Sequence, residues 1–243
     1  MKSRSRNLTL AVAVAVAALS GTALAATYTV YSNNFSTRSK VGELRLVKMS
    51  GQNNRCDKGH TSSRMMRVAI GKATTECNYT PPIKASPDGA FADWTVGVSS
   101  IISKNVAKSL RTKLFTSVAL RLTSGNSRYR LDVYSSIQEF RLRHYVLGEF
   151  ASEVTNARTL AGGERKVIKR PGDKNRLRLK IIQSNDNNAR LVARINGTTV
   201  ASVPVTGEPI LKGPRAAITL GRDAGSSNGA VGFFDNLSIQ DTN

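Results

Sequence analysis

The residue types best suited to acid–base, nucleophilic or metal chemistry are scarce in this 243-residue chain: two histidines, two cysteines and 16 carboxylates. His60 and His144 with Cys56 and Cys77 are the bare minimum for a structural zinc site, and their spacing fits no zinc pattern. A Ser-His-Asp arrangement lacks the Gly-x-Ser-x-Gly elbow that would present the serine. No Gly-x-x-x-x-Gly-Lys or Gly-x-Gly-x-x-Gly loop follows a strand, so nucleotide binding has no support. What the chain has in excess is cation. Its 36 Lys and Arg against 16 Asp and Glu give a formal charge of +20. Such a surface raises the local concentration of polyanions and speeds encounter with them.

The cations cluster. Arg165, Lys166, Lys169 and Arg170 lie in one loop region, and Arg176, Arg178, Lys180, Arg190 and Arg194 on strands expected to be neighbours. A third group alternates with aromatic and acidic residues and defines a hairpin. With Ser135-Ser136-Ile137-Gln138 as its turn, Tyr129 opposes His144, Leu131 opposes Leu142 and Val133 opposes Phe140. That face is apolar and belongs to the core. The other face pairs Arg128 with Tyr145, Arg130 with Arg143, Asp132 with Arg141 and Tyr134 with Glu139. A slip of one residue would mix the two faces, so the pattern supports this register. Opposed arginines repel by about 1 kcal/mol when solvated. Their face must therefore be solvated or meet an anion. Arginine forks match carboxylate and sulfate oxygens, and a tyrosine ring can stack on a sugar. The expected ligand-binding residues are Arg128, Arg130, Asp132, Tyr134, Arg141, Arg143 and Tyr145. Nucleic-acid readers interleave more aromatics than Tyr134 and Tyr145 provide, so specific nucleic-acid binding is not expected.

These side chains need strands to hold them, and strands are what the chain offers. Apolar and polar residues alternate in short runs from Thr27 to Ile239, split by Gly, Asn, Pro and Ser. The pattern predicts an all-β, antiparallel β-sandwich. Asn196-Gly197 between Arg190–Ile195 and Thr198–Val203 is a type I′ hairpin signal, because both residues tolerate positive φ. Ala161-Gly162-Gly163 and Lys169–Asp173 read as loops. Ile102, Val106, Leu110 and Leu114 recur every four residues among lysines and arginines, which fits either a short amphipathic helix in a crossover or a basic loop.

Met1–Ala25 has a basic start (Lys2, Arg4, Arg6), an uncharged run from Leu8 to Leu19 and the small-x-small end Ala23-Leu24-Ala25. That is the pattern of a secretory signal peptide, with 26–243 as one domain and a secreted, extracellular or periplasmic location. No later apolar stretch is long enough to span a membrane. An exported chain meets an oxidising medium, so Cys56 and Cys77 are expected to pair and pin an insertion around 56–77. The loop so closed contributes about 3 kcal/mol in the chain-entropy model.

The order Leu177-Arg-Leu-Lys-Ile181, Ala193-Arg-Ile-Asn-Gly-Thr-Thr-Val-Ala201 and Gly229-Ala-Val-Gly-Phe-Phe-Asp-Asn-Leu-Ser-Ile239 resembles the closing strands of concanavalin A-like (laminin G-like) jelly rolls. Asn33-Asn34-Phe35-Ser36 is similar to the Asp-Asp-Phe-Ser opening of such domains. The resemblance implies a jelly roll whose first strand lies beside its last. It also implies several possible occupations, since the fold hosts lectins, adhesion modules, glycoside hydrolases and polysaccharide lyases. The glucanase branch uses Glu-x-Asp-x-x-Glu on one strand. Glu149-Phe-Ala-Ser-Glu153 lacks the Asp and the spacing, and Glu43, Glu76, Glu139, Glu164 and Glu208 stand alone. The alginate-lyase branch uses a Gln-x-His strand, which is absent, although Arg141, His144 and Tyr145 supply its ingredients. In similar domains an acidic residue on the last strand joins the first strand in holding Ca²⁺. Asn33, Asn34 and Asp235 would be the ligands here, or else Asp235 ties the terminal strands by hydrogen bonds. The expectation is thus a secreted, non-catalytic module for glycan or another anionic cell-surface polymer. A lyase acting on an acidic polysaccharide, or a structural envelope protein without a ligand, is the alternative.

Overall fold

The computed structural model describes residues 27–47, 55–71, 74–82, 93–122, 127–145, 157–185, 187–206, 215–223 and 228–242; the expected signal peptide lies outside these. Two antiparallel sheets face one another. Sheet I contains β3 (Cys56–His60), β4 (Met66–Ile70), β6 (Asp93–Ile102), β11 (Asn175–Asn185), β12 (Asn188–Ile195), β13 (Thr198–Thr206) and β15 (Ala230–Thr242). They run in the order β13-β12-β11-β6-β15-β4-β3, and β1 (Thr27–Asn33) also pairs with β15. Sheet II has the order β10-β9-β8-β7-β14-β5-β2. Its strands are β2 (Arg45–Val47), β5 (Glu76–Thr80), β7 (Leu114–Leu122), β8 (Arg128–Tyr134), β9 (Glu139–Tyr145), β10 (Ala157–Glu164) and β14 (Arg215–Arg222). The all-β sandwich is as the alternation requires, and the first strand lies beside the last.

Alternation sets which side chains enter the core. Leu177, Leu179 and Ile181 of β11 and Leu191, Ala193 and Ile195 of β12 point inward, while Arg176, Arg178 and Arg194 between them are exposed. From sheet II, Leu131, Val133, Phe140 and Leu142 meet them, all buried. The β8–β9 register is the one the sequence predicts, from Arg128 opposite Tyr145 to Tyr134 opposite Glu139. Its apolar face includes His144, buried with its ring stacked 4.7 Å from that of Tyr129. The β12–β13 turn has φ 52° at Asn196 and 86° at Gly197, as a type I′ turn requires.

Two expectations change, and one open alternative is decided. The segment around 56–77 is not an insertion outside the sandwich: β3 and β4 extend sheet I, and β5 is a strand of sheet II. The Cys56–Cys77 disulfide (Cα–Cα 5.7 Å) therefore joins the two sheets. Ala161-Gly162-Gly163 is not a loop but part of β10, which pairs with β9 through a bulge. Glycines there lower strand propensity, and backbone pairing overrides it. Of the two readings open for 101–115, the structure shows the crossover loop. β6 runs to Ile102, one 3₁₀ turn occupies Lys108–Leu110, and β7 starts at Leu114. Val106, Leu110 and Leu114 are buried, so their spacing serves a crossover that dips its apolar residues into the core. Among the described residues, no helix is long and apolar enough to cross a membrane.

Because the disulfide spans the layers, mass analysis of the unreduced protein should find no alkylatable thiol at Cys56 or Cys77. The Cys56→Ser/Cys77→Ser variant should lose about 3 kcal/mol in denaturant titration relative to the oxidised protein. An unchanged unfolding midpoint would show that the bond is not needed to hold β3 against β5.

Candidate functional site

The structure brings all seven residues of the expected contact face together on the outer side of sheet II. It does not leave them as an exposed surface. Arg128, Arg130, Asp132, Tyr134 and Tyr145 are buried, and Arg143 is nearly so. Arg141 remains partly exposed, at 29%. The anion that the opposed arginines require comes from the chain itself. Glu76 of β5 accepts from Arg128 Nη2 at 3.0 Å and from Arg130 Nη1 at 2.5 Å. Arg130 Nη2 also donates to Asp132 Oδ2 at 3.1 Å, and Arg143 Nε lies 3.4 Å from the same oxygen. Asp132 therefore stands between the two arginines whose repulsion the sequence implied. Arg141 pairs with Glu139 at 2.6 Å and Asp223 at 2.7 Å.

The tyrosines close the network. Tyr145 Oη accepts from Arg130 Nη2 and, at 3.2 Å, from Arg143 Nη1. Tyr134 Oη donates to Asp223 Oδ1 at 2.7 Å and accepts from Arg143 Nη2 at 3.0 Å. Guanidiniums also lie over aromatic faces: Arg130 is 4.8 Å from the Phe115 ring and 4.4 Å from the Tyr145 ring, and Arg141 is 4.5 Å from the Tyr134 ring. This is the packing that planar cations favour when withdrawn from water.

The floor beneath these long side chains is made of small ones. Ala119 of β7 pairs with Arg130 of β8 and with Ala217 of β14, and Ser117 of β7 pairs with Asp132 and with Thr219. Between β8 and β5 lie β7 and β14, roughly three strand spacings of about 4.8 Å. Arg128 and Arg130 cover that distance by lying across the small residues to reach Glu76. Sequence reasoning missed Glu76, Asp223 and Phe115. The run of small outward residues at 117, 119 and 217 was the available signal that something large lies over them.

Electrostatics follow the geometry. Burial raises the Glu76 carboxyl, but Arg130 and Arg128 outweigh it and bring the group down to about 2. Burial raises Asp132 despite Arg130 and Arg143. The Tyr145 phenol is pushed up to about 12, by burial first and then by Asp132. The space left among Glu76, Phe115, Arg130, Arg143, Tyr145 and Asp223 is about 20 Å³, room for one water at most.

The residues considered for Ca²⁺ are engaged by hydrogen-bond donors. Asn33 Oδ1 accepts from Phe35 N at 2.7 Å, and its amide donates to Lys40 O at 2.8 Å, tying β1 to the short helix α1 (Arg38–Gly42). Asn34 Oδ1 accepts from Ser36 N and Lys40 Nζ. Asp235 accepts from Lys174 Nζ at 3.0 Å.

The outer side of sheet I is different. A groove of about 900 Å³ runs over β6, β11 and β15, lined in part by Lys169, Lys174, Arg176, Arg178 and Arg194. Among the described residues, Lys174–Asp235 is the one ion pair these five cations make. Arg178 opposes Arg194 across β11 and β12, and no carboxylate of the described residues pairs with either.

Two outcomes test the buried network. Arg130→Gln leaves Glu76 and Asp132 under-compensated and should cost about 3–5 kcal/mol, the scale for breaking a buried pair. An unchanged melting temperature would mean the guanidinium is solvated. Glu76 has a folded value of about 2 against 4.5 for the free group, so its stabilisation is present above pH 4.5 and is lost as the pH falls towards 2. Wild type should lose on the order of 3 kcal/mol across that window. Glu76→Gln should be less stable at neutral pH and should converge on wild type near pH 2. Parallel curves would show that Glu76 titrates normally.

No known family profile and no curated protein matches this sequence. Solved structures do share its architecture. A Bacillus subtilis protein of unknown function with a galectin-like fold is 11% identical, with a TM-score of 0.59 over 88% of this chain and 96% of that one. A carbohydrate-binding module from Bacillus subtilis is 11% identical, with a TM-score of 0.50 over 81% of this chain and 94% of its own. An alginate lyase is 12% identical, with a TM-score of 0.50 over 89% and 97%. Identities this low show the fold alone, and the fold is a galectin-like, jelly-roll β-sandwich of the kind found in carbohydrate-binding and polysaccharide-cleaving proteins.

Proposed function

We propose that this chain is an exported, non-catalytic module that binds an acidic polysaccharide or a comparable anionic polymer. One observation carries the reading: the two basic faces differ in compensation. On sheet II, Arg128, Arg130, Arg141 and Arg143 are answered by Glu76, Asp132, Glu139 and Asp223 within the chain. On the outer side of sheet I, Arg176, Arg178, Arg190 and Arg194 are exposed, and no carboxylate of the described residues pairs with them. Uncompensated guanidiniums held on rigid strands favour a partner bearing carboxylate or sulfate groups. The signal-like leader and the disulfide linking the sheets support a partner outside the cytoplasm. Carbohydrate-binding neighbours with the same fold support a glycan over other polyanions.

A lyase is the second reading. Its support is the Tyr145 hydroxyl, held by Arg130 and Arg143, together with the alginate lyase among the neighbours. Against it stands the closed space around that hydroxyl.

The two readings separate in one experiment. The purified chain is incubated with polygalacturonate, chondroitin sulfate and neutral dextran at low and high salt. The expected result is retention on the acidic polymers, weakened by salt, with no rise in the ultraviolet absorbance of unsaturated uronate ends. A steady rise that Tyr145→Phe abolishes would make the protein a lyase. Equal retention on dextran would remove the electrostatic basis of the proposal.

A further inference from the structure

The groove on sheet I has a specific construction. Its floor is Gly97 of β6, which pairs with Arg178 of β11 on one side and Ser238 of β15 on the other. A Cβ at position 97 would lie 3.3 Å from Ser238 Oγ, so any side chain there would rise into the groove. Arg178 leans over this bare position and donates to Gln240 Oε1 at 3.1 Å. Beside it β15 carries a bulge: three steps from Asp235 to Ser238 oppose two steps from Ser99 to Gly97, and Asn236 takes a positive φ of 53°. Bulges re-aim side chains and are over-represented next to sites.

The rim is cationic on one side and neutral polar on the other. Arg178 and Arg194 oppose each other, and Arg176 follows two residues along β11 on the same face. Arg194 spends its Nε on Thr199 Oγ1 at 3.1 Å. The Arg176 guanidinium makes no hydrogen bond or ion pair among the described residues. Asn236, Ser238 and Gln240 line the opposite side, and the Asn196-Gly197 turn lines one end. Ser99 and Val98 complete the floor, and among the described residues no aromatic lines the groove. Without an aromatic, neither a nucleobase nor the face of a neutral sugar has a platform on which to stack. What remains is charge for anionic groups and hydroxyl and amide groups for hydroxyls.

We infer that this groove is the binding site for an acidic polysaccharide, with Arg176, Arg178 and Arg194 gripping its carboxylate or sulfate groups and Gly97 keeping the floor open for the sugar chain. The inference rests on the polysaccharide-binding reading and names its site. It also assigns Gly97 as a specificity-determining position, because the depth of the groove depends on the missing side chain.

The test uses the full mature chain, with polygalacturonate as the acidic probe and neutral dextran and single-stranded DNA as comparisons, followed by calorimetry. Arg178→Gln/Arg194→Gln should weaken polygalacturonate binding by about tenfold or more and flatten its salt dependence. The melting temperature should hold or rise, because two uncompensated neighbours no longer repel. Gly97→Leu should weaken binding by a similar factor while keeping the salt dependence, since it blocks the floor and leaves the charges. Gly97→Ala provides a milder step should the larger side chain hinder folding, and should give an intermediate loss. If wild type binds polygalacturonate and these variants, equally folded, bind it as tightly, the groove is not the site and the general reading stands. If wild type binds none of the glycans, the general reading fails and this site with it. Tighter binding to single-stranded DNA than to polygalacturonate would overturn the ligand class assigned here.

Discussion

The outer face of sheet II depends on one buried cation. Arg130 is 1% exposed and cannot stay charged there without counter-charge on two sides. Asp132, two residues along the same strand, supplies one side. Glu76 supplies the other from β5, three strands away in the sheet. This arrangement dictates what surrounds it. Residues 117, 119 and 217 must be small, so that the arginines can lie flat. β5 must be held in register with β14 so that Glu76 arrives, and the neighbouring Cys77 anchors that strand to sheet I. Tyr145 and Phe115 supply the aromatic faces that make a desolvated guanidinium tolerable.

The same physics separates the two basic faces of this protein. A cation answered inside the chain has little left to offer a ligand, because its charge already faces a carboxylate. A cation on an exposed strand face with no carboxylate partner costs stability through repulsion and recovers it only when an anion arrives. Sheet II shows the first condition at Arg130 and Arg143, and sheet I shows the second at Arg178 and Arg194. Both are opposed arginine pairs in antiparallel ladders. The difference lies in the two carboxylates that flank one pair and not the other.

That difference explains how much was legible in the sequence. Register and facing follow from local alternation, so the 128–145 hairpin and its two faces could be read from the residues in that segment alone. The requirement for an anion near Arg130 could be read as well. The identity of the anion could not, because Glu76 lies 54 residues away in sequence and reaches the site through strand order. Strand order is a non-local property, and β5 itself was hidden. Glu-Cys-Asn-Tyr-Thr has no clean alternation, since almost the whole strand is buried. For the same reason the two cysteines gave a bond but not its place between the sheets. On sheet I the cation cluster was legible as adjacent strands, whereas the bare floor was not. Gly97 in isolation reads as a weak point in a strand, and only the pairing with Arg178 and Ser238 turns it into space.

The bulge at Asn236 has a cause in the topology, and that cause bears on why the groove lies where it does. β15 runs beside β6 from Gly232 to Thr242, but its other edge is shared: β4 pairs with Ala230–Phe234 and β1 with Leu237–Thr242. Two partners meeting end to end on one edge leave a junction at residues 235 and 236, and there the strand takes its extra residue. A junction of this kind cannot keep a regular pleat, so it interrupts the row of outward side chains on β15 opposite Gly97. The irregular floor is thus a consequence of bringing the first and last strands together in the middle of sheet I. The arginines of β11 and β12, fixed by alternation against a core of Leu177, Leu179 and Leu191, then form one wall of an opening that the strand arrangement had already made.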